Sequence, residues 1–503
     1  MNLDRCGYKI TRHLGSGGFG VVKSVKKGSE FYAAKILNFE NGISNLSEID
    51  IMSKIIHKNI NQCYEIITPK SCIFSSDLKI VLITKLGFSD LENVTKSLSF
   101  KDKVNILYQV AQAIKIIHQE KILHNDIKEK NIIIEKTTRN YRIEYNAFLT
   151  DFGLSTLYFD NYSQFLGTHM YVAPEVRESL TGYLEYTPAT DVWSYGITCL
   201  RVFSNQNIPI MYNNLQINTF HKILIESKEE VIKNFIRNYV EDEKLQVCIN
   251  FLSLLLEYNP TQRLKNFETI LNHEIFSGIE IVKDYKIRTL IPREYLFKDY
   301  DRGIVELIYK CTDELNRTFT YLNLEKISVF IFFLAVDIVY TTYDIMYKRY
   351  SNFKELRNLF IITCFWIAVK YTIKDSKFQN LPFILNFFNS VNHLGNFSND
   401  AKMLIILNLE VQIVEDLKGI IYNRFRIYDL CKDANEVKIA FNLILQRNPT
   451  EYSYFKLDET KWNETVNISL RLIKKNIKEK RTLEFRELKE SINEEFKLLK
   501  LTF

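Results

Sequence analysis

HNDIKEKN, from His124 to Asn131, followed by DFG at Asp151 to Gly153, decides how this chain is read. The first stretch sets an acid (Asp126), a lysine (Lys128) and an asparagine (Asn131) at the spacing of a phosphoryl-transfer loop. Twenty residues past Asn131, the second supplies an acid, Asp151, where a metal must be held. Upstream, GSGGFGVV carries Gly15, Gly17 and Gly20, whose missing Cβ atoms let backbone N–H groups close over phosphates. Its flanks, YKITRHL and FYAAKIL, are rich in apolar and aromatic residues and predict strands. A glycine turn between two strands differs from a dinucleotide-binding turn, which opens directly into a helix.

Lys35 falls on the third predicted strand, fifteen residues past Gly20, and suits the α and β phosphates of a nucleotide. Its candidate partner is Glu48. That acid lies in NLSEIDIMSKIIHKNI, where Leu46, Ile49, Met52, Ile55 and Ile56 recur at helical spacing and leave Glu48 free to pair. Taken alone, Lys35 reads as a solvated edge charge and Glu48 as a surface helix acid; the downstream motifs give both a role.

With those motifs in place, residues 8 to about 278 resemble a eukaryotic protein kinase of the serine/threonine type. Thr168 in GTHMYVAPE, Glu175 in APE, Asp191 in DVWSYG and Arg263 in NPTQRL follow in the family's order. The resemblance implies an α+β bilobal kinase fold over 1–278, with an N-lobe over 1–86 and a C-lobe over 87–278. It also implies ATP and Mg²⁺ as cofactors and proteins as substrates. Asp126 would orient the substrate hydroxyl and accept its proton, Lys128 would steady the transferring phosphoryl group, and Asn131 and Asp151 would bind Mg²⁺. Val22 and Ala33 would roof the adenine, Thr84 would be the gatekeeper, and the backbone of Lys85 to Gly87 would meet the base. Thr168 would border the substrate's P+1 region. Asp191 resembles the acid that braces the catalytic loop, and Glu175 with Arg263 the ion pair that anchors the activation segment.

The chain's 503 residues exceed one kinase domain. Beyond residue 295 come GIVELIYKC, KISVFIFFLAVDIVYTTY, LRNLFIITCFWIAVKY and AKMLIILNLEVQIVEDL, long apolar helical runs without glycine-rich loops. Asp337 interrupts the second and Lys370 ends the third, leaving apolar stretches short of the ~20 residues a membrane span needs. Buried helices of an all-α domain are expected. LAV at Leu334 to Val336, WIAVKY with Lys370, and NLEVQIVEDL with Glu410 and Leu417 resemble a cyclin box. That resemblance implies that Lys370 and Glu410 sit together on the face that grips the kinase helix αC; the alternative is an ordinary helix-surface ion pair. GISNLSE, Gly42 to Glu48, aligns with the PSTAIRE helix of cyclin-dependent kinases and puts Leu46 at its apolar anchor.

The expectation is a kinase followed by an all-α cyclin-like helical domain: a linker at 279–296, the cyclin-like domain at 297–435, and a helical segment at 436–503 that is either a shrunken second repeat or a packing helix. The linker could reach ~60 Å when extended. Tethering at roughly millimolar effective concentration would let a weak interface suffice. Two other readings stay open: an active kinase with an unrelated helical substrate-docking module, and a pseudokinase scaffold, against which the intact catalytic set argues.

Three positions where the family commonly places arginines to read a loop phosphate hold Ser47, Asn125 and Thr156. Ser163 sits where the phosphorylated threonine would be, with no arginine left to bind its phosphate, so activation by loop phosphorylation is not expected. Val172 and Gly167 likewise weaken any requirement for proline after the target residue. With 66 basic and 60 acidic residues, no nucleic-acid or membrane partner is called for. Eight cysteines without CxxC pairing suggest reduced thiols and no structural zinc. No signal peptide is read, and an intracellular site, cytoplasmic or nuclear, is expected.

Overall fold

A computed structural model describes residues 3–421 except 18–19, 38–45, 69–79, 140, 158–165, 179–185, 209–210, 212, 265, 280–285, 289–301, 319–324, 374–377, 379 and 392–396. Ser163, the start of the GISNLSE segment, most of the expected linker and the segment 436–503 therefore lie outside the described residues. The chain forms two compact units that divide after Arg288.

The β-branched and aromatic runs near the N-terminus form β1 (Lys9–Gly17), β2 (Gly20–Lys27) and β3 (Glu30–Leu37). After them come α1 (Leu46–Lys54), at the place of αC, β4 (Ile55–Ile56), β5 (Cys63–Ile67) and β6 (Val81–Lys85). Five strands pair antiparallel in the order β1-β2-β3-β6-β5. In this register Val22 lies opposite Lys35, and Ala33 opposite Thr84. Residues predicted to meet one nucleotide thus share one patch of sheet. At the β1–β2 turn, Gly20 has φ +140°, and a Cβ there would come within 2.1 Å of the Ile36 carbonyl oxygen, so no other residue fits.

The larger lobe begins with β7 (Ser89–Asp90) and α2 (Leu91–Val94), whose Asn93 N–H is capped by the Asp90 carboxylate. It continues through α3 (Phe100–Gln119), capped by Ser99, β8 (Ile122–Leu123), the hairpin β9 (Ile132–Arg139) and β10 (Arg142–Leu149), and β11 (Thr156–Leu157). The remainder is helical: α4 (Pro174–Arg177), α5 (Pro188–Phe203), α6 (Asn214–Ile236), α7 (Asp242–Leu255) and α8 (Phe267–Leu271). Among these α5 is the core, with every residue from Ala189 to Phe203 buried. A helix buried on all sides has neighbours on all sides, and its buried Asp191 and Arg201 must find partners among them.

Two features depart from the sequence expectation. Ile55 and Ile56 continue the helical periodicity of α1, yet they form β4. Their partner is β12 (Lys286–Ile287), where Lys286 lies opposite Ile56 and Ile287 opposite Ile55. Residues assigned to the linker thus return to the smaller lobe, and the Arg288 N–H donates to the Lys54 carbonyl at 2.8 Å, capping the last residue of α1. β-branched isoleucines accept the strand conformation readily once a partner strand is there to pair with.

The second unit, taken by itself, contains α9 (Arg302–Thr318), α10 (Glu325–Arg349), α11 (Phe353–Thr372), α12 (Leu381–Val391) and α13 (Asn399–Asp416). α11 is central, packed against α9, α10 and α13, and is buried without a break from Leu359 to Thr372. α10 passes through Asp337 uninterrupted. Its stretch Phe330–Arg349 is long and apolar enough to cross a membrane by length and composition, and 62% of its most apolar window is buried inside the protein, as in a core helix.

The tail strand yields a direct test. Arg288→Pro deletes the N–H that caps α1 and should remove about 1 kcal/mol of local stability, read as faster amide exchange in the last turn of α1. Arg288→Ala keeps that N–H and should leave exchange there unchanged.

Candidate active site

Under the five-stranded sheet runs a cleft lined by Gly15, Gly20, Val22, Ala33, Lys35, Glu48, Thr84, Lys85, Gly87, Asn131 and Asp151. All the predicted nucleotide residues except Gly17 therefore line it. Gly17 lies opposite Gly20 at the hairpin end. Thr84 is 4% exposed at the back, with its hydroxyl 3.5 Å from the Ala33 carbonyl oxygen. At the hinge, Lys85 pairs with Glu135 at 2.8 Å, and the Phe88 N–H donates to the Ile134 carbonyl at 2.7 Å.

Lys35 does find its partner. Its Nζ donates to the Glu48 oxygens at 2.6 and 2.7 Å and to Asp151 Oδ1 at 3.2 Å. Glu48 is 1% exposed, so the surface-acid reading does not hold. Burial opposes the lysine's charge, but Glu48 and Asp151 more than offset it and raise its pKa above the ordinary value. Asp151 itself takes the left-handed conformation, φ 62°, which turns its carboxylate toward the cleft while Phe152 is wholly buried.

The catalytic loop is held by α5 at two points. The buried Asp191 carboxylate accepts the N–H of His124 at 2.8 Å and of Asn125 at 2.9 Å, with the His118 ring nitrogen also at 2.8 Å. Burial would raise this carboxyl, yet the His118 hydrogen bond and charge and the loop N–H donors bring it below the usual range. A second grip was missed from sequence. Glu129, inside the motif itself, accepts from Arg201 Nε at 2.6 Å and from the Tyr171 hydroxyl at 2.7 Å.

Between these grips the Asp126 carboxylate takes three donors. Thr168 Oγ1 donates to Oδ1 at 2.7 Å; Lys128 Nζ and Asn131 Nδ2 donate to Oδ2 at 2.6 and 3.0 Å. Lys128 also donates to Thr168 Oγ1 at 2.7 Å, so the predicted acid, lysine and P+1-bordering threonine form one triangle. Because the Asn131 amide nitrogen is spent on Asp126, its oxygen remains for a cation. That oxygen and the Asp151 carboxylate are hard ligands on one cleft, a fit for Mg²⁺, which usually takes one or two protein oxygens and completes its shell with phosphates and water. Asn61 and Thr150, joined at 3.0 Å, line the same cleft and gave no motif signal.

Past the cleft, Arg263 grips Glu175 in a bidentate pair at 2.8 and 3.0 Å, with its guanidinium 5.0 Å from the Trp193 ring centre. Gly167 has φ +105°, and a Cβ there would lie 2.6 Å from the Asn125 carbonyl oxygen, so the approach of the substrate-side loop to the catalytic loop requires glycine. In the second unit, Lys370 and Glu410 are brought together as an ion pair between α11 and α13, both fully buried, with the ammonium 3.6 Å from the Trp366 ring centre. An ordinary helix-surface pair is therefore not what forms. Burial lowers the Lys370 pKa, an effect Glu410 only partly offsets.

An acid poised for a hydroxyl proton, a lysine tied to a helix acid and two cation ligands on one cleft are the site of a phosphotransferase. The protein kinase domain family matches residues 8–276, and the chain belongs to that family. It is similar to a Drosophila melanogaster protein named as a mitogen-activated protein kinase 14C, 26% identical over 61% of this chain and 90% of that protein. It is likewise similar to two Schizosaccharomyces pombe proteins, serine/threonine-protein kinase sid1 (26% identical over 60% of this chain) and serine/threonine-protein kinase cds1 (28% over 52%). The matches span 61% and 57% of those two yeast kinases. The chain is a protein serine/threonine kinase.

Acid should loosen both lobes of the kinase domain. Burial first, then Arg177 and Arg263, push the His221 ring down to about 4, and burial followed by Lys58 does the same for His57. Both folded-state values lie below the unfolded one, so the stability tied to each neutral ring is whole above about pH 6.5 and is lost as pH falls toward 4, about 3 kcal/mol per ring at most. Denaturant midpoints measured across that window should fall, and His221→Leu should flatten part of the slope.

Proposed function

We propose that this kinase transfers the γ-phosphate of ATP to protein serine and threonine hydroxyls with Mg²⁺. We further propose that its helical second half acts in cis as a cyclin-like activator, and that activity needs no phosphate on the activation loop. The observation that carries this reading is the closed set Lys35, Glu48 and Asp151, made by an α1 in which all nine residues are buried, the Asp50–Lys54 pair included. The closed pair is the state in which turnover proceeds, and holding α1 so that Glu48 reaches Lys35 is what an activator would have to do.

In this reading Lys35 steadies the α and β phosphates, while Asp126, aimed by its three donors, accepts the substrate proton. Lys128 stabilises charge on the moving phosphoryl group. Asn131 and Asp151 would hold Mg²⁺, which would neutralise phosphate charge. Such fixed groups lower the barrier by positioning and electrostatics, with no covalent intermediate on the protein. Leu46, 1% exposed, is the apolar anchor on α1, and Lys370 with Glu410 mark the gripping face of the activator. Since that pair is buried, removing one member would strand a charge at about 3–5 kcal/mol, so single substitutions there report on folding of the helical unit before anything else.

Two measurements test the reading. Turnover of MgATP on a serine/threonine substrate should vanish with Asp151→Asn, while Ser163→Ala or phosphatase treatment should leave it within about threefold, under ~0.7 kcal/mol of barrier. A hundredfold loss in Ser163→Ala would mean that the loop is read through its phosphate after all. For activation in cis, a protease site placed within residues 289–301 of the full chain lets the tether be cut after purification. Activity should then fall on dilution and return on concentration. Activity that survives cutting and dilution would leave the substrate-docking reading in place.

A further inference from the structure

The three positions that lack arginines are each occupied by a residue with something to do. Asn125 is 6% exposed and sits at φ 64°, a left-handed conformation that asparagine tolerates better than most side chains. Its backbone N–H reaches Asp191, and its carbonyl oxygen is the atom that admits only a glycine at 167. The side-chain Nδ2 donates forward to the Leu154 carbonyl at 3.0 Å and to Thr156 Oγ1 at 2.9 Å. Thr156 is itself 5% exposed and lies opposite Leu123 in the β11–β8 pair. From α1, Ser47 Oγ reaches the Phe152 carbonyl at 3.3 Å.

We propose that Asn125 and Thr156 form a permanent uncharged clasp that positions Asp126 by tying the catalytic loop to the start of the activation segment, with Ser47 holding the same segment from α1. The proposal rests on the phosphate-independent reading above and supplies its mechanism. A charged clasp of arginines is assembled only when a phosphate arrives to balance it, because like charges brought together repel. A buried amide nitrogen donating to a hydroxyl and a carbonyl needs no counter-charge, although Asn125 Oδ1 is buried without a partner among the described residues, and in a site shielded from water the two bonds have no solvent to compete with. The clasp is therefore closed in the unmodified chain. Asn125 and Thr156 are positioning residues: neither side chain supplies a donor to the Asp126 carboxylate, which Lys128, Asn131 and Thr168 hold, and both act through the backbone that carries it.

The experiment uses the full chain. Thr156→Val removes the accepting hydroxyl at constant shape and should lower kcat about tenfold while KM for ATP stays within about twofold; Thr156→Ser should restore kcat. Asn125→Gly keeps the left-handed backbone and the N–H to Asp191 while deleting the amide, and should lower kcat about thirtyfold. Because the two residues share one contact, adding Thr156→Val to Asn125→Gly should cause no further loss. Additive losses, or Thr156→Val within about twofold of the unaltered kcat, overturn the clasp. Thermal unfolding of each variant separates a positioning loss from an unfolded fraction; a kcat deficit wholly accounted for by unfolding also overturns it. Ser163→Ala, measured in parallel, judges phosphate independence separately, since its activity does not depend on whether the clasp variants lose theirs.

Discussion

One buried carboxylate organises this enzyme. Asp191 is wholly out of solvent in α5, the most buried helix of its lobe, and there it accepts the N–H of His124 and Asn125 and contacts the His118 ring. A carboxylate in such a place is unfavourable unless its lone pairs are filled. The catalytic loop can fill them in one conformation, and that conformation presents Asp126. The burial of one charge is thus converted into the orientation of another. Glu129 repeats the arrangement in reverse, an acid on the loop answered by Arg201 on the helix. With both ends of the loop tied to one rigid helix, Asp126 needs only local donors for its final aim, as expected of a reacting group carried by a stiff scaffold.

The smaller lobe depends on a different balance. Lys35 is paired with two acids from elements far apart in sequence, α1 and the Asp151 turn. Either acid alone would leave the lysine partly compensated in a mostly buried place. Together they make its charged form favourable, and they make the position of α1 and the conformation at Asp151 conditions of each other. The hydrogen bond from Ser47 to the Phe152 carbonyl joins the same two elements without charge.

The legible part of this chain was the part whose spacing is dictated by chemistry. Asp126, Lys128, Asn131 and Asp151 must meet phosphates and a cation together, so their order is written into short runs. Lys35 and Glu48 were found because a strand lysine and a helix acid each lacked a purpose alone. What pairs through backbone atoms left no such trace. Nothing in YKIRTL announces that Lys286 and Ile287 will lie beside Ile56 and Ile55, since a backbone ladder is nearly indifferent to side chains and the partners are some 230 residues apart. The Ile-Ile step read as helix for the same reason: apolar spacing reports burial, and only the neighbour decides whether the buried segment coils or extends. Asn125 and Thr156 were visible as missing arginines but not as partners of each other. In the second half, apolar runs foretold buried helices and the cyclin-box resemblance implied the meeting of Lys370 with Glu410, whereas Asp337 did not keep its helix below the length and apolarity of a span.

The tail strand also gives α1 an anchor from far along the chain. The Arg288 N–H is hooked on the Lys54 carbonyl at the end of α1, beside the pairing of Lys286 and Ile287 with Ile56 and Ile55. Loss of β12 would therefore free the C-terminal turn of α1. The same helix carries Glu48 two turns back. The stability of a strand from the far end of the kinase unit is thereby linked to the helix that sets the Lys35 pair.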